Sequence, residues 1–239
     1  SIYSEDVAGK VVIITGASSG IGEQLAYEYA RRGACLLLAA RREQSLRDVA
    51  YMCLELGSPD SITVTADVSI VDDCKRIVDS AISHFGRVDH LVNNAGITSI
   101  SMLEDYEDII ITSIHHGRFF LLASKAAMIA FYETIRVELG LDIQITIATP
   151  GFVESEMTKG KHLAPEGLMN VDVNLRDVQV SASPIVTGQR CAKAIINSAC
   201  RGDRYVTEPT WYRVLSWWKA FTPELLDWFF SAFYSYQDW

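Results

Sequence analysis

At 239 residues, 49% hydrophobic and 21% charged, the chain is long and apolar enough to fill the core of one large α/β domain; global disorder is excluded and no second domain is forced. Thirty acidic residues against 21 Lys and Arg give a net charge of -9, which repels a phosphate backbone, so no nucleic-acid partner is expected. The five cysteines, Cys35, Cys53, Cys74, Cys191 and Cys200, show no C-x-x-C or Cys/His spacing that would hold zinc. They read as reduced thiols of a reducing compartment, with Cys35 in the core and no metal site.

Short β-branched runs alternate with helical patterns, the signature of parallel strands joined by crossover helices. Val11 to Thr15 reads as a buried strand, Gly20 to Arg32 as a helix, Ala34 to Ala40 as a strand and Glu43 to Leu56 as a helix. Ile62 to Val68 follows as a strand, then a helix over Val71 to Phe85 with apolar positions at Cys74, Ile77, Val78 and Ala81, and a fourth strand at Leu91 to Asn94. Ile109 to Thr112 is a further strand, Ser124 to Leu139 a helix and Ile143 to Ala148 a strand. A polar loop runs to about Ser183, before a helix over Val186 to Ala199 and a short strand at Tyr205 to Thr207. These elements predict a single doubly wound parallel sheet of the Rossmann type.

One step breaks the rhythm. Between Gly96 and the strand at Ile109 only Ile97 to Asp108 remains, about the dozen residues that a parallel crossover needs at minimum. Either this segment crosses the sheet without a proper helix, or an element of the usual kind is absent.

All five tryptophans, Trp211, Trp217, Trp218, Trp228 and Trp239, follow Thr210 and interleave with Tyr212, Phe221, Phe229, Phe230, Phe233 and Tyr234. Thr222-Pro223-Glu224 has the form of an N-cap followed by Pro at the first helical position, so two short helices are expected. Such an end either lies in a membrane interface, lines an apolar substrate entrance, or packs on the sheet or a sister subunit. No run reaches the roughly 18 to 20 apolar residues that span a bilayer, and Ser1 to Lys10 has no apolar signal-peptide centre. The opening at Ser1 leaves room for an upstream targeting or anchoring piece.

Chemistry enters at Thr15-Gly16-Ala17-Ser18-Ser19-Gly20-Ile21-Gly22, between the first strand and the first helix. Glycines at 16, 20 and 22 permit a tight turn, a close backbone approach and free N–H groups at a helix N-terminus, where the macrodipole favours a pyrophosphate. At the end of the second strand, where an acidic residue would bind the ribose hydroxyls of NAD, stand Arg41 and Arg42, which offer guanidinium forks to a 2′-phosphate. NADP(H) is the expected cofactor.

These residues resemble the short-chain dehydrogenase/reductase family over nearly the whole chain. Gly16-x-x-x-Gly20-x-Gly22, with Ser18, Ser19 and Ile21, is similar to its cofactor loop, and Asp67-Val68 to the pair that meets the adenine. Asn93-Asn94-Ala95-Gly96 is similar to its fourth-strand motif, and Thr149-Pro150-Gly151 to the turn beside the nicotinamide. Val153 and Ser155 resemble its contacts to nicotinamide and phosphates. Val7 to Arg42, Arg136 to Gly140 and the aromatic tail look most like the plant 11-beta-hydroxysteroid dehydrogenase-like enzymes, including steroleosins.

The resemblance implies an Asn-Ser-Tyr-Lys catalytic set: Tyr as acid/base at the carbonyl oxygen, Ser positioning that oxygen, and Lys holding the ribose and lowering the Tyr pKa, four residues from it on one helix. Lys125 matches the Lys and is a cofactor contact as well, but the Tyr position holds Leu121, which has no proton to give. Ser113 stands where the Ser should be, only eight residues before Leu121, and the helix that would carry the Asn is the element missing from the periodicity. His115 and His116 titrate in the right range but are also what an exposed turn carries. Tyr132, about 10 Å along the helix from Lys125, is too far to replace the phenol, and Tyr106 cannot be placed.

By resemblance, then, the chain is an NADP-dependent oxidoreductase acting on an apolar alcohol or ketone such as a hydroxysteroid or sterol. It would be a homodimer at the cytosolic face of endoplasmic reticulum or lipid-droplet membranes. Residues 1–209 would form the nucleotide-binding domain, with a substrate loop at 152–183, and 210–239 an aromatic tail packed on it or at a membrane or dimer interface. The alternative is an NADP-binding protein without turnover, or a chain whose written sequence joins two pieces across a gap.

Overall fold

The structure, a computed structural model, describes residues 4–96, 117–140, 142–154, 161–163, 169–171, 185–214, 221, 222 and 224. Its elements are β1 (Val11–Thr15), α1 (Gly20–Arg31), β2 (Cys35–Ala40), α2 (Glu43–Glu55), β3 (Ser61–Thr65), α3 (Val71–Phe85) and β4 (His90–Val92). Then come α4 (Gly117–Leu139), β5 (Ile147–Pro150), β6 (Lys161–Leu163), β7 (Met169–Val171), α5 (Gly188–Arg201) and β8 (Tyr205–Glu208).

The first four strands form a parallel sheet in the order β3-β2-β1-β4. The chain winds outward from β1 to β3 and then returns to the other side of β1, so β1 and β4 flank a topological switch point, where open α/β sheets bind ligands at the carboxyl ends of their strands. β5 and β8 pair in parallel, and β6 and β7 form a small antiparallel hairpin.

The continuous apolar runs of β1 and β2 follow from burial on both faces. On one face Val12, Ile14, Leu36 and Leu38 meet Leu25 and Tyr29 of α1, Leu46, Val49 and Cys53 of α2, and Ile196 of α5. On the other, Ile13, Leu37 and Val64 lie beneath Ile77 and Ala81 of α3. That second cover is incomplete. Leu37 and Leu91 flank Ile13 in register on the same face, yet Leu37 is fully buried and Leu91 is 55% exposed. α3 rests on β1 and β2, and Val78 and Ile82 turn outward from it, exposed.

Several sequence expectations are corrected. Cys35 opens β2 at the edge of the core and is half-buried, while Cys53, Cys191 and Cys200 are the buried thiols. Val78, expected inside, is exposed: α3 rests on β1 and β2 through Ile77 and Ala81, and the flank beside them where Val78 stands is left open. α4 begins at Gly117, a full two turns before Ser124. β5 begins at Ile147 and not at Ile143, because the Ile145 carbonyl is taken by the Arg136 guanidinium, through Nε at 3.2 Å and Nη2 at 2.9 Å, and so is lost to a strand ladder. The loop after Gly151 contains the β6–β7 hairpin. The expected strand at Ile109 to Thr112 and most of the aromatic tail lie outside the described residues. Among the described residues no helix is long and apolar enough to cross a membrane.

The two leucines provide a direct check. Leu37→Ala should cost about 2–5 kcal/mol through lost burial and a residual cavity, whereas Leu91→Ala should cost less than about 1 kcal/mol, with little burial to lose. Urea midpoints of the two variants measure the difference, and equal shifts would mean that Leu91 is covered in solution.

Candidate functional site

The site begins where β1 ends. Gly16 (φ 67°) and Gly20 (φ 62°) occupy the left-handed region, which turns the chain sharply from strand to helix. Gly22 serves close approach instead: a Cβ there would stand 2.5 Å from Asn94 Nδ2 and collide with the Gly16 carbonyl. Ser19, the extended N-cap of α1, makes no side-chain capping bond, and the first intrahelical bond comes from the Glu23 N–H. The N–H groups of Gly20, Ile21 and Gly22 therefore precede the helical ladder, at the positive end of the macrodipole. This cradle fits a dinucleotide pyrophosphate.

One hydroxyl holds the loop to β4. Thr15 Oγ1 donates to the Val92 carbonyl at 3.2 Å and accepts from the N–H groups of Asn94 and Ala95, each at 3.1 Å. Asn94 answers by donating Nδ2 to the Thr15 carbonyl at 3.0 Å and the Gly16 carbonyl at 3.4 Å. Asn93, one residue earlier, faces the opposite side, where its amide donates to the Tyr132 hydroxyl on α4 at 2.8 Å. Lys125, further up the same helix, brings Nζ to 3.6 Å from where a Cβ on Gly96 would stand. Lys125, Asn93, Ala95 and Gly96 thus converge at the carboxyl end of β4.

The two arginines lie at the mouth of the loop. Arg42 donates Nη2 to Ser19 Oγ at 2.5 Å and to the Ser18 carbonyl at 3.4 Å, placing a guanidinium beside the start of α1. Arg41 Nη1 stands 3.8 Å from Asp67 Oδ2 and is largely exposed. Asp67 accepts from the Ser69 N–H and hydroxyl, which with Arg41 nearby hold its carboxyl below the ordinary range despite some opposing desolvation. Val68 is exposed beside it.

The second half of the site is built on β5. Pro150 closes that strand, and the Gly151 N–H donates to the Glu208 carbonyl at 2.8 Å. Val153 is buried and bridges Val186, with bonds through the Phe152 carbonyl and the Glu154 N–H. Leu121 stands one helical turn before Lys125 in the α4 backbone. Ser113, Ser155, Tyr106, His115 and His116 lie outside the described residues.

In the sequence Thr15 and Asn94 stand only as members of their motifs and Tyr132 only as a replacement phenol, so the bonds that they make were not read. The Asn93–Asn94 doublet carried a signal, since successive side chains of an extended chain point to opposite faces and only one amide could reach β1. Thr15→Val, which keeps the shape but strips the hydroxyl, leaves two N–H groups without their acceptor. It should lose about 1–3 kcal/mol in urea unfolding and weaken dinucleotide binding about tenfold, while Thr15→Ser retains both.

Comparison with known proteins places this geometry. A profile of the short chain dehydrogenase family matches residues 10–120. The "11-beta-hydroxysteroid dehydrogenase A" of Sesamum indicum is 51% identical, over 98% of this chain and 78% of its own length. The "11-beta-hydroxysteroid dehydrogenase 1A" of Arabidopsis thaliana is 50% identical, over 95% and 76%. The sesame alignment runs over 272 positions although this chain has 239 residues, so many positions of the relative face no residue here. Among solved structures, a short chain dehydrogenase/reductase from Burkholderia phymatum in complex with NAD is similar, with TM-score 0.73 and 22% identity over 89% of this chain and 93% of that one. L-sorbose reductase from Gluconobacter frateurii, complexed with NADPH and L-sorbose, gives TM-score 0.68 and 22% identity over 85% and 97%. The chain belongs to the short-chain dehydrogenase/reductase family of NAD(P)-dependent oxidoreductases and is similar to its plant 11-beta-hydroxysteroid dehydrogenase-like members.

Proposed function

We propose that the chain uses NADP(H) for hydride transfer to or from an apolar alcohol or ketone of the hydroxysteroid or sterol type. The observation that carries the cofactor choice is the placement of Arg42 against Ser19 at the N-terminus of α1, with Arg41 beside it at the end of β2. An added 2′-phosphate there meets two guanidinium groups. The names of the sesame and Arabidopsis relatives support the substrate class.

The work divides among the chain's own residues. The N-terminus of α1 binds the pyrophosphate, Arg41 and Arg42 the 2′-phosphate, and Asp67 and Val68 border the adenine. Lys125 holds the ribose, and the Pro150–Gly151 turn orients the ring from which the hydride comes. Proton transfer is the open position, because Leu121 stands where the resemblance puts a phenol. The aromatic composition after Thr210 suits either a lipid-droplet or endoplasmic reticulum surface or the seam of a homodimer.

A second reading, an NADP-binding protein without turnover, is favoured by two observations: Leu121 itself, and the positions of the sesame relative that face no residue here. We place those positions between Gly96 and Lys125, where the segment is only as long as a crossover needs at minimum and where the neighbouring Leu91 is exposed. Tandem mass spectrometry of the tryptic peptides Val88 to Arg118 and Phe119 to Lys125, together with turnover of a steroid ketone, separates the readings. A continuous chain through Leu121 should bind NADPH and turn over at least about 100-fold more slowly than the sesame relative, the scale of a lost general acid. A chain with extra residues there should be fully active.

The cofactor choice has its own test. Arg42→Ala should raise the Kd for NADPH about tenfold, the scale of a lost charge-assisted bond, and leave that for NADH within about twofold. An equal loss for both cofactors would overturn the 2′-phosphate assignment and leave Arg42 as a brace of the loop.

A further inference from the structure

The segment after β8 carries a feature that the cofactor site does not use. Trp211 and Tyr212 stack with ring centroids 4.0 Å apart and planes inclined by 22°. Tyr212 lies against the Pro150–Gly151 turn: a Cβ on Gly151 would stand 2.5 Å from Tyr212 Cε2 and 3.0 Å from Cδ2 and Cζ. Glycine at 151 is therefore what lets the ring seat against the backbone. Its neighbour Trp211 is 45% exposed, so the outer member of the stack faces outward.

A chain of contacts places this pair on the cofactor edge of the fold. A Cβ on Gly188, the first residue of α5, would meet Gln24 Cγ of α1 at 2.8 Å, so the two helices start side by side. One turn into α5, Arg190 Nε pairs with Glu208 Oε1 at 2.7 Å, which ties the end of β8 to the same edge. β5 runs parallel to β8 in register, Pro150 opposite Glu208, so both strands end there. The Tyr212 N–H then donates to the Pro209 carbonyl at 3.1 Å, folding the aromatic pair back over these ends.

From this placement we infer that Trp211 and Tyr212 form a substrate-recognition wall that selects flat, fused-ring apolar molecules. The inference rests on the substrate class proposed above and adds the residues that would choose within it. A stacked pair presents a broad rigid apolar face with few rotatable bonds, and the seating of Tyr212 against Gly151 sets the pair beside the turn assigned to the nicotinamide, with Trp211 as its open side. A four-ring ketone has the area to cover such a wall, and a single small ring does not.

The test measures binding without turnover, so that it stands whichever reading of the catalytic position holds. Equilibrium dialysis of a labelled four-ring steroid ketone against the NADPH-loaded protein would be run on wild type, Tyr212→Ala, Trp211→Ala and Tyr212→Phe. NADPH affinity would be followed in parallel by its fluorescence. The two Ala variants should bind the ketone about tenfold more weakly, the scale of one lost large apolar contact, with NADPH affinity within about twofold, while Tyr212→Phe should match wild type because the ring and not the hydroxyl makes the wall. Unchanged ketone binding in both Ala variants would overturn the wall and leave the substrate class standing. A parallel fall in NADPH affinity would also overturn it, by making the pair a prop of the cofactor turn. If wild type binds NADPH but not the ketone, the substrate class itself fails and takes the wall's ligand with it.

Discussion

The cofactor half of this molecule depends on one side chain, Thr15. The glycine-rich turn has too few side chains to hold its own shape, and glycine spends more conformational entropy on being fixed than any other residue. Its form is imposed from outside, by a hydroxyl that joins the last residue of β1 to the residues leaving β4. Asn94 closes the joint by bonding the Thr15 and Gly16 carbonyls, and it fills the space that a side chain at 22 would need. The switch-point crevice is thus a consequence of pairing β4 with β1, and anything that loosens β4 loosens the phosphate cradle with it.

That coupling gives the remoter contacts of β4 a role. His90 Nδ1 stands 3.0 Å from the Tyr29 hydroxyl of α1, and its Nε2 stands 3.3 Å from Glu5 Oε2. Glu5 also pairs with Lys10, and its N–H donates to the Cys200 carbonyl at the end of α5. At the other end of β4, Asn93 reaches Tyr132 on the helix that carries Lys125. β4 has only three residues in the ladder, and its position is set as much by these side-chain ties as by its backbone bonds.

The parallel strands, the helices over them and the phosphate loop were legible because they depend on local signals: β-branched runs, a 3.6-residue stripe and glycines at a strand-to-helix junction. Val71 to Phe85 has the same bounds in sequence and structure. What could not be read depended on partners far along the chain. Nothing near Ile143 announces that Arg136 will claim the Ile145 carbonyl, and nothing near Gly151 announces a ring from Tyr212. Cys35 lies in an apolar strand run, yet membership of such a run says little about how far the neighbouring elements extend over it. Val78 belongs to the apolar stripe of its helix, and its exposure reflects what lies beyond α3 rather than anything in the helix.

That exposure and the catalytic vacancy have one origin if the missing positions belong after Gly96. A segment there would cover Leu91, Val78 and Ile82, and would also lengthen the path into α4 on which a phenol must stand one turn before Lys125. The nucleotide half has no need of it: its larger core lies on the opposite face of the sheet, closed by α1, α2 and α5, and Thr15 and Asn94 draw on β4 alone. Loss of such a segment would remove proton transfer and one patch of cover while leaving the phosphate cradle nearly intact.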